Sequence, residues 1–173
     1  MHGESEKIRS ILERRARELA KPLEDHGGED ETEVLVFALC GERYAVESAT
    51  VREIRRLQGV TALPGVPPFV LGIMNVRGEI LSVLDPVKIL ALPETPYEDG
   101  ARVVVLSNGA MTFGLAVHEL HGMARLAFSK LQEAPLSGNS SSQGLIRGVS
   151  ADRLIVVDGR ALLADKTLIV DAS

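Results

Sequence analysis

The chain is 173 residues long, with a single cysteine, no tryptophan and little net charge. One cysteine, Cys40, excludes an intrachain disulfide and points to a reducing compartment. Charges run through the first 21 residues, so the N-terminus has no apolar core of a signal peptide. No stretch reaches the ~20 apolar residues of a membrane span. The longest apolar runs, such as Val103 to Leu106, are strand-sized. The expectation is a cytoplasmic protein without direct membrane insertion, in which the sequon Asn139-Ser140-Ser141 is idle. Aromatics are scarce: Phe37, Tyr44, Phe69, Tyr97, Phe113 and Phe128. Without a basic field or stacking platforms, nucleic acid is not an expected partner.

Charge is also unevenly placed. Residues 1–33 hold 6 Lys/Arg and 10 Asp/Glu, a net of −4 out of the formal −5. The remaining 140 residues are nearly neutral, with 13 basic and 14 acidic side chains. Hydrophobic residues make up 45%, enough for an ordinary globular core. A chain this long buries on the order of 70% of its unfolded surface, so neither metal nor disulfide is needed for folding.

Residues 4–22 read as an amphipathic helix, with Ile8, Ile11, Leu12, Ala16, Leu19 and Ala20 on one face. Pro22 and Gly27-Gly28 end it, and Glu29 to Glu33 reads as an acidic linker. From Val34 the pattern becomes β. Val34 to Leu39 and Arg43 to Val46 flank a turn at Cys40-Gly41-Glu42. Val51 to Leu57 fits either a bulged strand or a helical turn. Gly72 to Val76 and Ile80 to Leu84 are strands around Arg77-Gly78-Glu79, and Pro86 to Leu92 is a short helix.

The pattern then recurs about seventy residues on. Val34-Leu35-Val36-Phe37 is answered by Val103-Val104-Val105-Leu106, and Tyr44-Ala45-Val46 by Phe113-Gly114-Leu115. Val51-Arg52-Glu53-Ile54 is matched with Val117-His118-Glu119-Leu120. Ile80 to Asp85 matches Leu154 to Asp158, and a short helix follows each. This predicts two similar subdomains of about five strands, each closing into a barrel that removes exposed edges. Asn108-Gly109 marks the sharpest turn.

Catalytic constellations are missing. There is no nucleophile elbow, phosphate loop, dinucleotide turn or zinc-protease helix. Cys40 has no histidine within ten residues and reads as a structural thiol. His118 and His121 point to opposite faces of an extended strand, which spoils metal chelation. Asp85 and Asp158 read as helix caps. The chain is therefore expected to be a non-enzyme without metal or cofactor.

The segment Gly72-Ile73-Met74-Asn75-Val76-Arg77-Gly78-Glu79-Ile80-Leu81-Ser82-Val83-Leu84-Asp85 resembles the signature of the CheW family, the adaptor proteins of bacterial chemotaxis. Phe37-x-Leu39, Val51-Arg52-Glu53-Ile54, Leu63-Pro64, Pro67-Pro68-Phe69 and Phe113-Gly114-Leu115 agree in order, over about residues 33–165. The resemblance implies a mainly β fold: two SH3-like five-stranded β-barrel subdomains with short helices, preceded by the N-terminal helical extension. Residues 1–33 are then the extension and 34–173 the CheW-like domain. Subdomain one covers about 34–100 and subdomain two about 101–165, with exchange of terminal strands allowed.

The resemblance further implies a non-catalytic adaptor linking the cytoplasmic tips of methyl-accepting chemoreceptors to the histidine kinase CheA, whose regulatory domain shares the fold. It places the receptor groove at Val51, Glu53, Asn75, Val76, Arg77 and Gly78. An arginine at a strand-to-turn junction can reach carboxylates on a helical tip; the plainer reading of Arg77 is a fold-holding salt bridge. Val51 reads equally as core packing. Pro86 departs from the family's usual apolar residue after Asp85. The helical extension lies outside the family core, and its apolar stripe argues for docking on its own barrel, a second copy or a partner. A solvated, fraying helix is the alternative. A second role keeps the fold but docks the module into a non-chemotactic two-component system through that helix.

Overall fold

The computed structural model describes residues 31–133, 144–165 and 168. The helix expected over 4–22 and most of the Ser/Gly-rich loop after Pro135 lie outside the described residues.

Among the described residues, ten strands form two five-stranded sheets. They are β1 (Glu31–Leu39), β2 (Glu42–Glu47), β3 (Val51–Arg56), β4 (Val70–Val76), β5 (Glu79–Leu84), β6 (Arg102–Ser107), β7 (Thr112–Val117), β8 (Glu119–Ala127), β9 (Ile146–Val149) and β10 (Ile155–Val157). Two short helices, α1 (Pro86–Ile89) and α2 (Gly159–Ala164), follow β5 and β10. The fold is mainly β, as the alternating apolar pattern requires.

The strand orders are β8-β1-β2-β10-β9 and β3-β6-β7-β5-β4. Renumbering each strand by five converts one order into the other. The duplication is thus real, and it is threaded through both sheets. Each sheet draws strands from both 34–100 and 101–165, the exchange that the sequence reading allows. Strands β3 to β7 make one barrel, and β1 and β2 join β8 to β10 in the other. The crossovers are the parallel pairs β2–β10 and β5–β7. Parallel pairing needs no tight turn, so no local signal marks it in the sequence.

Equivalent details repeat. The Asp85 amide donates to the Phe69 carbonyl and the Asp158 amide to the Leu145 carbonyl, both at 2.7 Å. Asp85 Oδ1 accepts from Val87 N at 3.1 Å and Asp158 Oδ1 from Ala161 N at 3.0 Å, so both aspartates cap their helices. Bridges Thr61–Ile73 and Gln132–Val149 occupy matching places beside Gly72 and Gly148. The bulges correct one alignment: Val51-Arg52-Glu53 corresponds to Leu120-His121-Gly122, three residues beyond the expected match. Val51 to Arg56 is a bulged strand, not a helical turn.

Strand β1 begins at Glu31, inside the stretch read as linker, because Glu31 to Glu33 pair with Ala127 to Arg125 of β8. Strand pairing satisfies backbone groups that a linker would leave to water.

Three cores hold the molecule. Met74, Val76, Leu81, Val83, Val103, Val105 and Ala116 fill one barrel. Val34, Val36, Ala45 and Leu154 fill the other. The largest cluster lies between the barrels and draws Phe37, Tyr44, Ile54, Leu84, Leu106, Leu115 and Leu162 from both. Strands β1, β5, β6 and β7 thus bury one face in their own barrel and the other in the shared core.

Candidate functional site

In the order β3-β6-β7-β5-β4, β3 and β4 are the sheet's edges. Edge strands carry unpaired backbone groups and are commonly covered or charged. Thr61 covers part of β4, exchanging amide hydrogen bonds with Ile73 at 2.8 and 2.9 Å. Charged side chains from β3 and the β4–β5 turn span the remaining opening.

Glu53 is the hub. Its side chain is 11% exposed, and its Oε1 accepts from Arg55 Nε at 2.8 Å. Arg77 Nε lies 3.7 Å from the same oxygen, and Arg52 Nε lies 3.6 Å from Oε2. Arg52 also donates to Glu79 at 3.3 Å, tying β3 to the start of β5. One carboxylate therefore faces three guanidiniums. The sequence reading singled out Glu53 and Arg77 but missed Arg52, Arg55 and Glu79. Strand alternation was the available signal, since it sets Arg55 beside Glu53 on one face.

Arg77 stands at the turn with φ 53° and its side chain 60% exposed. Gly78 follows at φ 85°, a conformation glycine adopts without steric cost. Asn75 Oδ1 accepts the Gly78 amide at 2.9 Å, so the asparagine shapes the turn that presents Arg77. Val51 is half-buried against the shared core.

Val76 is the exception among the expected site residues. It is 1% exposed inside the barrel core. Alternation turns its side chain inward beside Met74, while Asn75 and Arg77 face solvent. Its side chain supports the turn from beneath.

His118 lies between β7 and β8 rather than within a strand. Its Nδ1 accepts the Cys40 amide at 3.2 Å, so Nε2 carries the hydrogen shared with the Thr95 carbonyl at 3.1 Å. Its ring stacks on Tyr97 at 4.3 Å, and the Tyr97 hydroxyl donates to Asp85. The Cys40 thiol donates to the Pro93 carbonyl at 3.3 Å. A histidine does approach Cys40, from 78 residues away, yet it engages the backbone amide. This cluster ties the Cys40 turn to the strap over residues 93–97. Burial, then the Asp85 hydrogen bond and charge, push the Tyr97 phenol well above the usual tyrosine range.

The family model for the CheW-like domain matches residues 33–167. The chain belongs to the CheW-like family. It is 29% identical over 133 residues to the chemotaxis protein CheW of Bacillus subtilis (strain 168), covering 75% of this chain and 85% of that one. It is 30% identical over 121 residues to protein FrzA of Myxococcus xanthus, covering 70% and 76%. The crystal structure of the scaffolding protein TtCheW from Thermoanaerobacter tengcongensis matches with a TM-score of 0.65 at 22% identity, over 77% of this chain and 86% of that one. That likeness carries the fold. Membership gives the CheW-like chain a non-catalytic adaptor role in chemotaxis signalling. Among the described residues no helix is long and apolar enough to cross a membrane.

Proposed function

We propose that this adaptor couples the cytoplasmic tips of methyl-accepting chemoreceptors to the regulatory domain of the histidine kinase CheA, in arrays at the inner face of the membrane. The receptor would dock at the opening between β3 and the β4–β5 turn, on Val51, Glu53, Asn75, Arg77 and Gly78, with Val76 beneath them.

The observation that supports this most is the setting of Arg77. Its backbone is fixed by the Asn75–Gly78 turn, and its guanidinium is steered by Glu53 yet largely exposed. A cation oriented before binding loses less freedom when it meets a carboxylate, which favours affinity. A near-neutral body also suits docking on two protein partners better than a strong single-sign field would.

Titration of the full chain with a purified receptor-tip fragment tests this by NMR. The expected result is chemical-shift change centred on Arg77, Gly78 and Glu53. Arg77→Asp is expected to abolish the change while leaving the rest of the spectrum folded. Absence of any perturbation at saturating fragment overturns the receptor assignment. A parallel titration with the kinase regulatory domain tests the other arm of the coupling.

A further inference from the structure

Ile80 is the one large hydrophobic side chain that stands exposed among the described residues, at 57%. A single exposed isoleucine is ordinary on a protein surface. Three features of its setting make this one informative.

The first is the face it occupies. Ile80 pairs across β4–β5 with Asn75, on the side opposite the barrel core that holds Leu81 and Met74. Along that same face, Leu84 is 0% exposed in the shared core, Ser82 is half-buried, and Ile80 is open. The cover over the face ends before Ile80, and an apolar surface there prolongs the shared core. The second is the internal duplication. Counting three residues back from the strand residue that faces the glycine, Val83 facing Gly72 or Val156 facing Gly148, gives Ile80 in one barrel and Arg153 in the other; Arg153 lies outside β10, in the connection from β9, at φ 64°. The other barrel closes its hairpin without a paired strand residue at that place, so closing a barrel does not itself call for isoleucine there. The third is charge. Among the described residues, the carboxylates that Arg52, Arg55 and Arg77 meet beside this hairpin are Glu53 and Glu79. Three guanidiniums against two carboxylates leave a positive excess next to the apolar side chain.

We infer that Ile80 is the apolar anchor of this surface, and that it takes a protein face offering an apolar side chain flanked by a carboxylate. The inference rests on the receptor-docking reading and names the chemistry of the receptor face: the carboxylate meets Arg77 while the apolar side chain covers Ile80. Central apolar contacts ringed by polar pairs carry much of the energy in such interfaces.

Isothermal titration of the full chain with the receptor-tip fragment, at low and high salt, tests it. Ile80→Ser is expected to weaken binding about tenfold at both salt concentrations, with thermal unfolding unchanged. Ile80→Leu is expected to bind within about twofold of the parent, because it restores apolar area. Parent-like binding by Ile80→Ser, while Arg77→Asp loses binding, overturns the anchor and leaves the docking reading intact. Loss of binding to the kinase domain alone also overturns it. No binding by the parent chain defeats the docking reading, and the anchor with it.

Discussion

Gly72 is where the closure of the β3–β7 barrel can be broken with one methyl group. Its φ is 152°, and a Cβ there would stand on the Thr61 carbonyl oxygen, 2.7 Å from the Thr61 carbonyl carbon and 2.9 Å from Val60 Cγ1. The obstacle is mostly backbone, and it belongs to the bridge that covers the outer edge of β4. Relief requires Thr61 to retreat, which breaks both of its hydrogen bonds to Ile73. Those contribute ~1 kcal/mol each, and an L-residue held at positive φ costs a further ~1–2 kcal/mol. Gly72→Ala should therefore cost ~3–4 kcal/mol, a large share of a typical domain's stability. Gly148→Ala should cost nearly as much, because its Cβ would lie 2.7 Å from the Gln132 carbonyl oxygen in the equivalent bridge. Gly65→Ala is the control: φ is 76° but nothing lies within 4 Å of the new methyl, so only the ~1–2 kcal/mol backbone term remains. Urea unfolding of the three variants, read as shifts in midpoint at constant m, measures the differences. If Gly72→Ala falls within about 1 kcal/mol of Gly65→Ala, the bridge does not hold the barrel edge.

Two further expectations concern titration and cooperativity. Burial, with help from Glu42 and Cys40, pushes the Tyr44 phenol up to about 12, and Tyr97 is displaced in the same direction. Both folded values lie above the unfolded ~10, so the neutral phenols stabilise the fold fully below about pH 10. That contribution drains away as pH rises toward 12, by at most ~1.4 kcal/mol per unit for Tyr44. With no tryptophan and two tyrosines, absorbance at 295 nm should stay flat until it steps up together with loss of circular dichroism. A tyrosine signal titrating near pH 10 in folded protein would contradict this. Separately, fragments 34–100 and 101–165 should each lack a cooperative urea transition, since the exchanged strands leave neither with a complete sheet. A sigmoidal melt from either half alone would refute the exchange.

How far the sequence carried depended on whether the signal was local. Strand alternation, the Asn108-Gly109 turn and the aspartate caps are local, and each lies where expected: Asn108 Oδ1 accepts from Ala110 and Met111 at 2.9 and 2.7 Å. The duplication was legible because both copies meet the same packing demands. Which copy donates which strand was hidden, because parallel pairing joins Val156 to Ala45 across more than a hundred residues. The contact between Cys40 and His118 was hidden for the same reason. Val76 is a different case, as alternation with Met74 already implied an inward side chain, but a motif was read as if every residue in it faced outward. Ile80 sits in an apolar run that reads as strand core, and only the end of the covering barrel exposes it.

The two readings of Arg77, salt bridge or docking residue, are not rivals. Arg77 helps span the gap between β3 and the β4–β5 turn, so it does hold the fold. It does so weakly: a 3.7 Å pair from a side chain that is 60% exposed belongs to the class worth ~0–1 kcal/mol. Glu53 is placed otherwise, at 11% exposed with a 2.8 Å bond from Arg55. Removing its carboxylate leaves three guanidiniums facing one another, and the damage spreads to β3 and β5 together. Charge reversal at Arg77 is therefore the variant that tests the proposed docking with little cost to the fold, whereas a change at Glu53 disturbs the fold itself. On the proposed docking, the weak contact of Arg77 is the one exchanged for a partner's carboxylate, while the 2.8 Å contact between Arg55 and Glu53 stays in place beneath it.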